Sequence, residues 1–131
     1  MRPVPLGTAA TTTVCTAPEH TAAAVGNEGV AVVATTTLIL FIEETAAKAI
    51  ADCLERGEAS VGTRVEVDHL AAIAPGARVT TRAEVIAIEG RLVTFAADVK
   101  SGDKLLMKGR HVRAVVDLQR FLEKQGLNRA G

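Results

Sequence analysis

Glu43 and Glu44 are adjacent in the chain, yet the residues around them assign the two carboxylates to different surroundings. Ile39, Ala46, Ile50 and Leu54 recur at helical spacing, flanked by Ile42, Ala49 and Cys53, and Glu43 falls on this apolar stripe. Glu44 falls on the other face with Lys48, Asp52 and Arg56, at steps of four and alternating sign, the pattern of a solvated charge ladder. A carboxylate aimed at a core is costly unless it is paired or put to use. His69 shows the same anomaly on a strand. Val65 and Val67 set an apolar face of period two, and His69 continues it. A helix covering that face would let Glu43 and His69 meet. Glu43 could then activate a water molecule or attack a carbonyl itself, while His69 handles protons. The plainer readings are a groove-edge position for Glu43 and a satisfied core or interface position for His69.

Thr35, Thr36 and Thr37 add hydroxyls near the helix start, where free backbone N–H groups can polarise a carbonyl oxygen. In an unbroken helix Thr35 and Glu43 lie about 12 Å apart along the axis. Direct contact between them needs Thr35 in a loop folded back over the helix; its alternative role is capping. Gly62, on the polar side of its strand by strict alternation, leaves room for a ligand or a second backbone, or marks a bulge. Arg110 and Arg113 belong to a segment with Lys104, Lys108 and His111, which can meet phosphates or form a solvated edge. His20 sits in a small, polar, glycine-containing stretch and is expected to be exposed.

These residues need elements to position them. Residues 10–17 favour a strand, and 36–56 a helix with its N-cap among the threonines and its stop at Gly57. The period then switches to two. Val61, Thr63, Val65 and Val67 predict one strand; Val79, Thr81, Ala83, Val85 and Ala87 a second; Val93, Phe95, Ala97 and Val99 a third. Pro75-Gly76, Glu89-Gly90 and Ser101-Gly102-Asp103 supply the turns. A last strand over about residues 104–117 carries Gly109 as a bulge candidate, and Leu118, Phe121 and Leu122 anchor a short amphipathic tail. Strand, long helix and four antiparallel strands give an α+β fold in which a curved sheet wraps round one central helix, the hotdog architecture. A single helix cannot cover both ends of such a sheet, so two sheets are expected to pair as a homodimer; a dimer of dimers is compatible with the same pattern.

At 131 residues, with 48% hydrophobic and 23% charged, the chain predicts one packed domain over residues 1–131 and not a disordered segment. Fifteen basic residues balance fifteen acidic ones, and the aromatics are only Phe41, Phe95 and Phe121. That removes the basic footprint and stacking platforms of nucleic-acid binding. Cys15 and Cys53 lack any paired Cys or His spacing, so neither zinc nor a disulfide is expected, and both read as reduced thiols packed as small hydrophobes. The most apolar run, residues 30–42, falls short of the roughly 20 residues that span a bilayer. No signal-peptide pattern opens the chain, so a soluble, cytoplasmic protein without membrane contact is expected. There is no GxSxG elbow, Walker A loop, GxGxxG turn or HExxH pair.

The run Val33-Ala34-Thr35 through Leu38-Ile39-Leu40-Phe41-Ile42-Glu43-Glu44, then Ser60-Val61-Gly62-Thr63 and Val67-Asp68-His69-Leu70-Ala71-Ala72, resembles the hotdog thioesterases related to fluoroacetyl-CoA thioesterase. Ala74-Pro75-Gly76, Glu89-Gly90-Arg91 and Gly109-Arg110-His111-Val112-Arg113-Ala114 extend the resemblance, which covers about residues 20–122. It implies a catalytic threonine, glutamate and histidine at Thr35, Glu43 and His69, and the strand glycine at Gly62. Thr36, Arg110 and Arg113 join Gly62 as candidate substrate-binding residues. The implied reaction is hydrolysis of a short acyl-CoA thioester in an interfacial pocket of a dimer. No cofactor or metal is called for; coenzyme A enters as part of the substrate. Two departures bear on the acyl group: Glu44 follows the glutamate where the family often has another residue type, and no aromatic precedes Phe41. Small residues, Ala22 to Val25, line the loop expected to cover the pocket. A non-catalytic acyl-CoA-binding module on the same fold is the competing function. A hydratase would want an aspartate and a histidine near the helix start, and this helix contains no histidine.

Overall fold

The computed structural model describes residues 1–127. Its elements in chain order are β1 (Ala9–Cys15), α1 (Thr35–Ile50), β2 (Glu58–His69), β3 (Arg78–Glu89), β4 (Leu92–Ser101), β5 (Lys104–Asp117) and α2 (Leu118–Lys124). The five strands form one sheet in the order β1-β3-β4-β5-β2, with every neighbouring pair antiparallel. Alternation places Val79, Thr81, Ala83 and Val85 of β3 and Val93, Phe95, Ala97 and Val99 of β4 on the buried face. Leu38, Phe41, Ile42, Ala46 and Ile50 of α1 fill the concavity and complete the core. A curved antiparallel sheet around one long helix is the hotdog architecture, as the periodicity predicts.

α1 is not centred over the sheet. Thr45, fully buried, shares a 2.6 Å hydrogen bond with Thr12 of β1, fastening the helix over the β1–β3 side. The inward face of β2 stays largely uncovered, leaving Val65 and, on the helix, Leu40 exposed. β2 is also an edge strand, with one row of backbone groups unpaired among the described residues.

Several sequence expectations change for identifiable reasons. α1 stops at Ile50 and tightens into a 3₁₀ turn over Ala51–Cys53, so Asp52 and Arg56 lie beyond it. Among the described residues Glu44 and Lys48 form no ion pair, and the predicted charge ladder is not built. No threonine caps the helix: Ala34 is the N-cap residue, Thr35 is the first helical residue, and the Thr37 hydroxyl donates to the His20 carbonyl. His20 itself is half-buried, its ring edge-on to Phe41 and its Nδ1 accepting from the Ala17 N–H. Cys15 is exposed and not packed; Cys53 is half-buried, and both are free.

The strand corrections matter most for the site. β2 shifts register against β5 between Gly62 and Arg64, so Thr63 is an extra residue. Residues after the bulge keep the predicted facing: Val65 lies opposite buried His111, and His69 opposite buried Met107. Before it the phase inverts. Gly62 lies opposite Arg113 and Ser60 opposite buried Val115, so both face inward. A second shift, between Val85 and Ala87, leaves Ala87 exposed and turns Ile88 toward the core. Gly109 is not a bulge. It pairs in register with Val67 and Ala97, and a Cβ there would stand 2.6 Å from the Val67 Cα and closer still to the Glu66 carbonyl oxygen. Close backbone approach, not irregularity, is why only glycine fits.

Candidate active site

Two groups of candidate side chains stand along the open side of the molecule. At the start of α1, Thr35 Oγ1 lies 2.7 Å from His69 Nδ1, at the far end of β2. Both residues are exposed, and among the described residues His69 Nε2 meets no protein partner. The Ala34 carbonyl already takes the N–H groups of Thr37 and Leu38, while among the described residues those of Thr35 and Thr36 have no protein acceptor. Thr36 is exposed in the same first turn. A hydroxyl, an imidazole and free helix N–H groups thus share one opening, a combination able to shuttle a proton and hold a developing oxyanion.

The second group forms two turns further along α1. Glu43 is at the groove edge and not in the core, with 40% of its side chain exposed. Its Oε2 is 3.9 Å from Arg113 Nη1, and it stands against Gly62 so closely that a Cβ on Gly62 would lie 3.0 Å from that oxygen. Arg113 is 10% exposed and held on three sides. Its Nε donates to Ser60 Oγ at 2.9 Å, its Nη2 to the Ser60 carbonyl at 3.0 Å, and its Nη1 to His111 Nε2 at 3.1 Å. Burial draws the Arg113 pKa below its ordinary value, with the Glu43 carboxylate acting in the opposite sense. Burial likewise pushes the His111 imidazole down; its hydrogen bond to the Arg64 carbonyl raises it, Arg113 lowers it further and Glu43 raises it.

Within one chain the two groups remain apart. Gly62 and His69 are separated by seven residues of β2, about 20 Å of strand. Thr35 therefore partners His69 and not Glu43, and the expected meeting of Glu43 with His69 is not made within a single copy.

The family model for the fluoroacetyl-CoA-specific thioesterase, FlK, matches residues 16–119, which includes both groups. The chain belongs to this thioesterase family. The fluoroacetyl-CoA thioesterase of Streptantibioticus cattleyicolor is 38% identical over 93 residues, covering 71% of this chain and 67% of that protein. A solved structure of the fluoroacetyl-CoA thioesterase FlK superposes with a TM-score of 0.87 at 32% identity, covering 95% of this chain and 96% of the other. A Thermus thermophilus hypothetical protein of the thioesterase superfamily superposes with a TM-score of 0.89 at 29% identity, covering 96% and 93%. The FlK-family chain is a thioester hydrolase with the hotdog fold.

Arg110 is the candidate that this thioesterase does not bring to either group. It faces outward, three residues and one face away from Arg113, in a groove of about 740 Å³ that also includes Asp68, Arg82, Glu84, Asp98 and Lys108. Across the sheet Asp68, Lys108, Asp98 and Arg82 pair in register with alternating sign, as do Glu66 and Arg110. Cations compensated in this way make a solvated outer face. Ser60 and His111 are the participants that sequence reasoning did not select. The spacing Met107, His111, Arg113, Val115 marks one buried face and could have separated His111 from Lys108 and Arg110. Ser60 could be placed inward only by knowing the bulge. Among the described residues no cluster of three or more His, Cys, Asp or Glu side chains stands ready to hold a metal ion, and no helix is long and apolar enough to cross a membrane.

Proposed function

We propose that the protein is an acyl-CoA thioesterase acting on short acyl groups, with Glu43, His69 and Thr35 as its catalytic residues. The observation that carries this reading is the placement of Glu43: a half-exposed carboxylate held beside a guanidinium, against a strand glycine where a Cβ would stand 3.0 Å from the carboxylate oxygen. Support comes from the relatives, one named a fluoroacetyl-CoA thioesterase and another solved with fluoroacetate and CoA. In the reaction a water oxygen bonds to the acyl carbon, the C–S bond breaks, and the departing thiolate takes a proton, leaving a free acid and CoA. Glu43 acts as base toward the water or as nucleophile in a two-step route. His69, oriented by Thr35, carries the proton, and the free N–H groups of Thr35 and Thr36 face the developing oxyanion. Gly62 and Arg113 line the acyl end. The small side chains over Ala22–Val25 do not specify fluorine.

The working unit is a homodimer in this reading. Antiparallel self-pairing of two β2 edges, centred on Val65 or Glu66, would satisfy the open backbone edge and set His69 of one copy within about one residue of Gly62 of the other. The two groups, separated within one chain, would then be complementary halves of one site.

The test is thiol release from a panel of acyl-CoAs, short, long and aromatic, with Glu43→Ala alongside. Turnover that disappears in the variant, with its fold intact by circular dichroism, supports the reading. Turnover unchanged by Glu43→Ala would sink the assignment. Absence of turnover on every ester, with the same esters raising Tm, would replace it with a binding module.

A further inference from the structure

His111 is fully buried and takes no direct part in the chemistry above, yet both of its ring nitrogens are committed. Nδ1 lies 2.8 Å from the Arg64 carbonyl oxygen, which only accepts, so Nδ1 carries the proton. Nε2 lies 3.1 Å from Arg113 Nη1, which only donates, so Nε2 presents its lone pair. The two partners select one neutral tautomer between them. Protonation would turn Nε2–H against the guanidinium N–H and break the contact. The ring also stacks on Phe95 of β4, with centroids 6.2 Å apart and planes 26° apart. The charged groups facing the imidazole are Arg113 on its own strand and Glu43 from α1; β2 offers a backbone carbonyl and β4 an uncharged ring.

We propose that His111 is a positioning residue: as a neutral imidazole it ties the Arg113 guanidinium to the β2 bulge and so fixes its direction toward Glu43 across Gly62. The Arg64 carbonyl that anchors Nδ1 immediately follows the extra residue that turns Gly62 inward. One ring thereby links the bulge, the glycine gap and the cation beside the carboxylate. With Nε and Nη2 bound to Ser60 and one N–H of Nη1 bound to His111, the fork has its remaining Nη1 hydrogen left for the Glu43 side. An apolar ring could stack on Phe95 and fill the same volume, but it could not aim the guanidinium.

This inference rests on the thioesterase reading for its kinetic arm and on the geometry alone for its spectroscopic arm. In the full-length protein, nitrogen-15 spectra of the histidine rings at neutral pH should show His111 with a protonated Nδ1 and a bare Nε2, and the Nε2 signal should move in Arg113→Ala. His111→Phe keeps the packing and should lower kcat about tenfold or more while KM changes by less than about twofold. His111→Gln, which retains an acceptor for Nη1, should recover part of the loss. In an Arg113→Ala background, His111→Phe should add little, because the two residues act as one unit. An imidazolium or an Nε2–H tautomer, or multiplicative losses in the double variant, would overturn the proposal. If no acyl-CoA is turned over by the wild type, the thioesterase reading fails, and the ring-nitrogen spectra alone decide the role of His111.

Discussion

Thr35 Oγ1 and His69 Nδ1 meet at 2.7 Å although 34 residues separate them in the chain. The contact joins the first residue of α1 to the last residue of β2, so it registers the helix start against the sheet edge. It also fixes which imidazole nitrogen is left to exchange protons. Thr35→Ala removes the hydroxyl without touching the core and should lower kcat by about tenfold to a hundredfold with little change in Tm, whereas Thr35→Ser should retain most activity. Thiol-release kinetics on the three proteins decide it. Equal activity in Thr35→Ala and wild type would assign the contact to structure alone.

Gly62 and Gly109 make a paired prediction about two glycines with different neighbours. At Gly62 a Cβ would meet the end of the Glu43 side chain at 3.0 Å and His111 Cε1 at 3.2 Å. The carboxylate can swing away, so Gly62→Ala should fold but lose turnover by about tenfold or more. Comparison of Tm and kcat with wild type tests this, and a variant that keeps its kcat would refute it.

At Gly109 the added Cβ meets the backbone of Glu66 and Val67, which cannot move without opening the β2–β5 ladder. Gly109→Ala should therefore cost about 2–4 kcal/mol of stability. Chemical denaturation measures it, and a midpoint equal to that of wild type would show that β2 is free to shift.

The sequence-derived expectations and the structure agree where a period runs unbroken and part where one extra residue changes its phase. Val93, Phe95, Ala97 and Val99 alternate through the whole of β4, and their burial follows. Val61 and Thr63 continue the alternation of Val65 and Val67 on paper, but the bulge between Gly62 and Arg64 inverts it, bringing Ser60 and Gly62 to the inward face. A single residue of slippage reassigns every side chain before it. Glu43 stood out because a carboxylate broke an apolar stripe. His111 did not, because flanking lysines and arginines resembled a solvated edge until the pairing showed that alternate residues face opposite sides. The separation of the Thr35–His69 and Glu43–Arg113 groups depends on strand geometry that spacing alone does not contain.

The exposed edge of β2 predicts one of two adjacent partner registers. Self-pairing centred on Val65 or Glu66 brings that residue directly opposite its own copy, where antiparallel Cα separations of about 4.5–5.5 Å suit a disulfide. In a Cys15→Ser background, which removes the exposed thiol, either Val65→Cys or Glu66→Cys should give a covalent dimer on mild oxidation, and Arg64→Cys and Val67→Cys should not. Sedimentation of the untreated wild type should give twice the chain mass. A monomer that turns over acyl-CoA at the wild-type rate would remove the need for a shared site.

The buried state of His111 gives stability a defined pH dependence. In the unfolded chain its imidazole takes a proton with the ordinary pKa of about 6.5; in the folded protein burial first, and then the Arg113 charge, hold it lower against the opposing pulls of the Arg64 carbonyl and Glu43. Below about pH 6.5 the unfolded state therefore binds more protons than the folded state, and stability falls as pH falls. The contribution is complete above that pH and is lost as the pH drops toward the lowered folded value. Thermal unfolding between about pH 7 and pH 5 should show a steeper fall in Tm for the wild type than for His111→Phe, which has no imidazole at this position to protonate. Parallel slopes for the two proteins would mean that His111 takes up its proton as readily in the folded protein as in the unfolded chain.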